Sequence, residues 1–168
     1  GWIQVYVEDN QEVLDTVIQA YRVAEQVKMP VMVCYDAFFL SHTYEPVDIP
    51  DQKKVDQFLP PYDPEHYLNP ADPRNFSALV MPDVYLEMRY KVQQAMDRVP
   101  EIAEKTHREF GDVFDRHYHM VEPIECEDAE TVLVTSGTTT SPARVLVKQL
   151  REQGKKVGVL KLRYFRPF

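Results

Sequence analysis

Five side chains that can move a proton or hold a polar ligand crowd into one short stretch: Asp36, Ser41, His42, Tyr44 and Glu45. They follow Val31-Met32-Val33-Cys34, an apolar run of the kind found in a buried parallel strand and entered through Pro30. Open α/β sheets place ligands and partner contacts at the carboxyl ends of such strands. Histidine titrates nearest neutral pH, so His42 is the residue of this group best suited to a functional proton. A local role fits equally well, with His42 and Glu45 capping or bracing the turn at Pro46.

Two further clusters raise chemical questions. Ser136-Gly137-Thr138-Thr139-Thr140 lies between a strand pattern and a helix pattern, where backbone N–H groups can receive an anion. It holds one glycine and no lysine of the phosphate-loop type, so an ordinary strand-to-helix turn is the better reading. His117-Tyr118-His119 together with Cys126 suggests metal ligation, but no third ligand is placed by spacing, and a partly exposed strand is preferred. Cys34 and Cys126 have neither metal-ligand nor disulfide-framework spacing and read as free thiols of a reducing cytoplasm.

Composition narrows the classes. With 44% hydrophobic and 27% charged residues the chain reads as a globular domain or parts of two. A net charge of -8 argues against a nucleic-acid surface, which needs concentrated Lys and Arg. No apolar run approaches the ~20 residues of a membrane span, and no basic leader opens the sequence. Gly1 to Val7 starts on alternating strand residues and Leu162 to Phe168 stops on an aromatic segment, so a piece of a longer polypeptide is expected.

The elements that must position these residues follow from periodicity. Residues 3 to 7 alternate as a strand, and Val13, Leu14, Val17, Ile18, Tyr21, Val23 and Ala24 predict a helix over 11 to 26. Asn10 is its expected N-cap, and Asp15, Gln19 and Arg22 are expected to face away from the centre. With a strand at 31 to 35 this makes a right-handed βαβ unit. Residues 46 to 82 carry eight prolines, which exclude long regular elements and leave room only for a helix over 51 to 58 capped by Asp51. Phe58, Leu59, Tyr62, Tyr67, Leu68 and Phe76 make this stretch a structured arm that needs a surface to pack on, part of it expected from another subunit. Helical spacing returns from 83 to 110, broken near Arg98 to Glu101 by Pro100 and ended or bent by Gly111. The last segment predicts a buried strand at 131 to 135 and a helix from Ala143 to Gln153. That helix has Ser141 as N-cap, Val145, Leu146 and Leu150 inward, and Gly154 as its stop; a strand follows at 156 to 162.

The segments GWIQVYVEDNQEVLDT, PVMVCYDAFFLSHTYEPVDIPD, FLPPYDP and VGVLKLRYFRPF, in order from Gly1 to Phe168, resemble the pyruvate and other 2-oxoacid:ferredoxin oxidoreductases, specifically their alpha subunit. The resemblance implies an α/β fold with parallel-sheet βαβ units. These would come from a thiamine-diphosphate pyrimidine-type domain and a transketolase C-terminal-like domain, joined by the Pro-rich arm and helices. Residues 1–50 would end the pyrimidine-binding domain, 51–127 would be the arm and linking helices, and 128–168 would begin the second domain. It implies oxidative decarboxylation of a 2-oxoacid, with pyruvate preferred, to acyl-CoA. Electrons would go to ferredoxin, in an anaerobic, cytoplasmic, multisubunit enzyme with beta-, gamma- and delta-type partners. The loop with Asp36, Ser41, His42, Tyr44 and Glu45 would lie at the alpha–beta interface or the approach to the active site.

The family's glutamate on the pyrimidine ring and its substrate-carboxylate residues would lie upstream of Gly1. Thiamine diphosphate and Mg2+ would be held mainly outside this chain, and iron-sulfur clusters by other subunits or domains, since four thiolates per cluster are needed. No catalytic, cofactor or metal residue is therefore assigned, and the chain alone is expected to be inactive. Two alternatives remain: a non-catalytic subunit-assembly module, and a component of a thiamine-diphosphate 2-oxoacid dehydrogenase.

Overall fold

A computed structural model describes residues 1–77 and 79–168. Strand β1 (Ile3–Tyr6), helix α1 (Asn10–Val27) and strand β2 (Val31–Cys34) form the expected βαβ unit, with Ile3 opposite Val31 and Tyr6 opposite Cys34 in parallel register. The short helix α2 (Gln52–Phe58) follows, its first turn capped by Asp51, which accepts from the Lys53 N–H at 2.7 Å. Helices α3 (Pro82–Asp97) and α4 (Val99–Phe114) meet at Arg98. Pro100 lies in the first turn of α4, where a missing N–H leaves no hydrogen bond unmade.

Strands β3 (Val121–Ile124) and β4 (Thr131–Thr135), helix α5 (Thr140–Glu152) and strand β5 (Val157–Leu162) build a second sheet of order β3-β5-β4. Here β4 and β5 are parallel, while β3 runs antiparallel to β5. After β5 a single residue, Arg163, carries the chain into β6 (Tyr164–Arg166), which pairs antiparallel with β1. The first sheet thus has the order β2-β1-β6, and both sheets are mixed. The parallel units expected from the sequence are present, each with one antiparallel neighbour.

Three apolar clusters hold these layers. Ile3, Val5, Val23 and Val27 pack with Val99, Ala103 and Tyr164 between the first sheet and the helices. Ile18 meets Phe58, Phe110 and Phe114, and Ala143 and Val147 of α5 cover Val157 and Val159 of β5. Glycine is required at 158, the second residue of β5, because a Cβ there would stand 2.6 Å from the Glu125 carbonyl oxygen.

Several expectations are corrected. The N-cap of α1 is Asp9, whose carboxylate accepts from the Glu12 N–H at 2.8 Å. Asp15 and Gln19 are fully buried, so the polar side of α1 faces inward. Gly111 does not end α4; the helix continues to Phe114 and stops at Asp115 in the left-handed conformation (φ 56°). Gly111, four residues before that stop, leaves room for the His117 ring, which a Cβ there would overlap. Helix α5 starts at Thr140 after a tight turn over Gly137–Thr139, so Ser141 and Pro142 sit in its first turn. Ala143 and Val147 face inward, while Val145 and Leu146 are exposed, as are Val132 and Val134 of β4. His117 and His119 precede β3 and do not lie on a strand.

Candidate functional site

The loop 36–45 leaves the carboxyl end of β2 and is anchored at both ends. Asp36 accepts from the Thr138 N–H at 3.0 Å and from the Thr138 hydroxyl, and these bonds hold its carboxyl below the usual carboxylate range. Glu45 accepts from the Asn10 side chain at 2.8 Å and the Asn10 N–H at 3.4 Å, beside the start of α1. Between these anchors Leu40 is buried and its N–H donates to the Asp36 carbonyl oxygen at 3.1 Å.

The tip is exposed and internally bonded. Ser41 Oγ accepts from the Phe38 N–H at 3.1 Å and lies 2.7 Å from His42 Nδ1. The His42 ring stacks on Phe38 with centroids 4.5 Å apart. Phe38, Phe39 and Tyr44 project outward, Tyr44 fully exposed. The structure thus joins Asp36 to the second sheet, pairs Ser41 with His42, assigns Glu45 a bracing contact, and leaves Tyr44 apart. The turn considered as an anion site receives a carboxylate from the chain itself, that of Asp36.

Behind the loop, six charged groups meet where the two sheets adjoin. Lys161 of β5, 3% exposed, lies 3.0 Å from Glu8, 3.0 Å from Glu12 and 3.3 Å from Glu122. Arg144 of α5 donates two bonds of 2.9 Å to the Glu8 carboxylate, and Ser141 adds a third at 2.9 Å. Arg163 pairs with Glu12, donates to Thr16 at 2.9 Å and to the His119 carbonyl at 3.0 Å, and lies over the Tyr118 ring. Burial pushes the Glu8 carboxyl up, but the bonds from Arg144, Lys161 and Ser141 outweigh it and hold it low. Burial likewise disfavours the Lys161 ammonium, and the charges of Glu12 and Glu122 reverse the balance and raise it. The three carboxylates, Glu8, Glu12 and Glu122, formally match the three cations, Arg144, Lys161 and Arg163.

A second buried array lies along α1. Asp15 accepts from Arg116 at 2.6 and 2.8 Å and from the Tyr118 hydroxyl at 2.8 Å, and Arg116 reaches Asp48 at 2.9 Å. Burial, then the Asp15 carboxylate, pushes the Tyr118 hydroxyl far up. Gln19 donates to the Asp15 carbonyl at 3.1 Å, so its amide oxygen faces His107 Nδ1, 2.5 Å away.

Sequence reasoning missed the charged seam. Lys161 inside the apolar run Val157 to Leu162, and Glu8 and Glu12 one helical turn apart, were the signals that could have located it.

Among the described residues no group of three His, Cys, Asp or Glu side chains is arranged to hold a metal ion. Cys34 belongs to the first sheet and Cys126 lies beside the second, its thiol donating to the Val159 carbonyl at 3.1 Å. Two thiols so placed do not form a cluster-binding set.

Parallel βα units with a polar loop at the carboxyl end of a strand define an α/β protein. Residues 1–108 match the family described as "Pyruvate flavodoxin/ferredoxin oxidoreductase, thiamine diP-bdg", and residues 129–168 match "Pyruvate:ferredoxin oxidoreductase core domain II". The chain belongs to the pyruvate flavodoxin/ferredoxin oxidoreductase family. It is 49% identical to the pyruvate synthase subunit PorA of Methanothermobacter thermautotrophicus, over 100% of this chain and 44% of that protein. It is 44% identical to PorA of Pyrococcus furiosus, with 100% and 43% covered, and 43% identical to the ketoisovalerate oxidoreductase subunit VorA of Pyrococcus horikoshii, with 100% and 43% covered. The chain spans less than half the length of these relatives. In fold it is similar to a solved 2-oxoglutarate:ferredoxin oxidoreductase from Magnetococcus marinus, with TM-score 0.60 and 16% identity over 100% of this chain and 32% of that one.

Proposed function

We propose that this chain is part of the alpha subunit of a thiamine-diphosphate-dependent 2-oxoacid:ferredoxin oxidoreductase acting on pyruvate. The observation that carries this reading is 49% identity to a pyruvate synthase subunit along the whole chain. The enzyme would decarboxylate the 2-oxoacid, reduce ferredoxin and release acyl-CoA, with thiamine diphosphate stabilising the carbanion when bound. Mg2+ and iron-sulfur clusters belong to partner subunits or domains of that enzyme, which works in the cytoplasm. Residues 1–50 close the pyrimidine-binding domain, 51–127 form the arm and linking helices, and 128–168 open the transketolase C-terminal-like domain. A second family match that starts at residue 129 supports a new domain beginning near residue 128.

Within this enzyme the loop carrying Asp36, Ser41, His42 and Glu45 faces the alpha–beta interface or the approach to the active site. Its exposed aromatic tip and its Ser41–His42 pair support this placement. The arm contributes subunit contacts through Tyr62, Tyr67 and Phe76, which are exposed, whereas Phe58 is already buried against this chain's own Phe110 and Phe114.

Reconstitution of the full-length subunit with its partners tests the reading. Pyruvate- and CoA-dependent reduction of ferredoxin is expected, faster than with ketoisovalerate, and none from the 168 residues alone. A complex that reduces ferredoxin with no 2-oxoacid overturns it. His42→Ala and Ser41→Ala that keep wild-type turnover and lose only thermal stability would place the loop outside the active-site approach.

A further inference from the structure

We propose that Asp36 is a positioning residue: its carboxylate, gripped by Thr138 in the turn before α5, fixes the loop 36–45 against the second sheet and sets where Ser41 and His42 stand. The catalytic meaning of this clamp rests on the reading above that the loop faces the active-site approach; the clamp itself does not.

The two residues come from different sheets. Asp36 follows β2 and Thr138 follows β4, 102 positions later, so the contact joins the carboxyl ends of two parallel βα units. The Thr138 N–H and hydroxyl both donate to the same oxygen, Oδ2. Gly137 adjoins them with φ 64°, and a Cβ on it would stand 3.0 Å from that oxygen. The turn is therefore shaped to receive a carboxylate closely, and a side chain at 137 would be disfavoured by both backbone and space. The Asp36 carboxylate is ionised at neutral pH, so both contacts are charge-assisted, and they hold its pKa below the usual range.

The loop depends on this anchor for a physical reason. Phe38 has φ 68°, a left-handed conformation that an aromatic residue adopts only when its surroundings enforce it. Leu40 is the loop's buried plug, and its N–H is held by the backbone oxygen of Asp36 itself. Ser41, His42 and Phe38 are bonded or stacked on one another, so the tip moves as one body. Fixing Asp36 fixes the plug and, through it, the tip; Glu45 on Asn10 holds the far end.

Releasing the clamp should leave the rest of the fold in place. The two sheets are held together independently by Lys161, Arg163 and Arg144 on Glu8, Glu12 and Glu122, and by the continuous chain through Arg163. A local loosening of the loop, without loss of global stability, is the distinguishing consequence.

The test uses the complete enzyme with all subunits, carrying Asp36→Ala, Asp36→Asn, Thr138→Val or Thr138→Ser. Amide exchange across 37–44 is expected to quicken about tenfold in Asp36→Ala, the scale of one lost charge-assisted bond, while exchange in β5 and the thermal midpoint stay unchanged. The kcat/KM for pyruvate is expected to fall about tenfold as well. Asp36→Asn and Thr138→Val should be intermediate, each keeping part of the contact, and Thr138→Ser should restore wild-type values. Unchanged exchange in the loop of Asp36→Ala overturns the clamp, as does a Thr138→Ser enzyme as impaired as Thr138→Val. If the wild-type complex turns over no 2-oxoacid, the proposed function fails, and the exchange data still decide the clamp.

Discussion

His107 should make the stability of this chain fall on mild acidification. It is 2% exposed on α4, its ring 5.5 Å from that of Tyr164 and steeply inclined to it, and burial, then the Arg163 charge, lowers its pKa from 6.5 to about 2. Gln19 faces Nδ1, so the proton of the neutral ring sits there, and Nε2 has no partner among the described residues. A proton added at Nε2 would be a buried charge with no acceptor, near a guanidinium. The unfolded chain takes up that proton below pH 6.5 while the folded chain refuses it until about pH 2. The stabilising effect is therefore complete above the unfolded pKa and erodes as pH drops through it. At about 1.4 kcal/mol per pH unit, lowering pH from about 7 to about 5 should remove roughly 2 kcal/mol. Urea unfolding of the wild type and of His107→Leu at both pH values isolates the effect. The variant loses stability at neutral pH, because Gln19 is left unpaired, but the gap between the two proteins should shrink by roughly 2 kcal/mol at the lower pH. A gap that stays constant would refute a neutral buried His107.

Lys161→Met leaves Glu8 and Glu12 short of a cation in a buried seam, and urea unfolding should show a loss of about 3–5 kcal/mol; a loss under about 1 kcal/mol would mean that Arg144 and Arg163 suffice. The raised Lys161 pKa gives the wild type stability that is present below about pH 10.5 and lost as pH rises through the folded value. The same variant should flatten that alkaline decline. Phe58→Ala removes a 2% exposed ring packed edge-on to Phe110 at 5.4 Å and Phe114 at 5.8 Å, with Arg22 over its face. Its expected loss is about 3–5 kcal/mol with faster proteolysis after residue 58, and equal protease resistance would show that the arm is held elsewhere.

The elements legible in the sequence were those whose pattern comes from one-sided burial. Residues 3 to 7 and 157 to 162 alternate or run apolar, Asp51 and Gly154 mark ends, and Pro100 separates two helices, all of which the structure retains. Periodicity misled wherever burial was polar. Asp15 and Gln19 were placed outward because hydrophobicity cannot distinguish a carboxylate facing water from one facing Arg116 and Tyr118. The same limit applied to Val145 and Leu146, which spacing alone turned inward although α5 meets β5 through Ala143 and Val147. For the loop, proximity in sequence grouped Asp36, Ser41, His42 and Glu45, and of these the structure pairs only Ser41 with His42 while Asp36 and Glu45 anchor opposite ends. Their roles depend on Thr138 and Asn10, and contacts across 102 and 35 positions leave no local trace.

The polar seam explains why one residue can connect two sheets. Apolar surfaces attract without direction, so two sheets joined by grease alone could slide over each other at little cost. Ion pairs with hydrogen-bond geometry are satisfied only in one arrangement, and here three carboxylates and three cations are interlocked across the turn after β1, α1, β3, α5, β5 and the Arg163 link. Burying them offers little net stability, since desolvation offsets much of the attraction. Its effect is on register. Arg163 ends one sheet and begins the other while its side chain grips α1 through Glu12 and Thr16, so the turn bearing Thr138 is presented to Asp36 in a fixed position. A clamp of two hydrogen bonds can position a loop only if its two halves are already held in line, and the seam supplies that alignment.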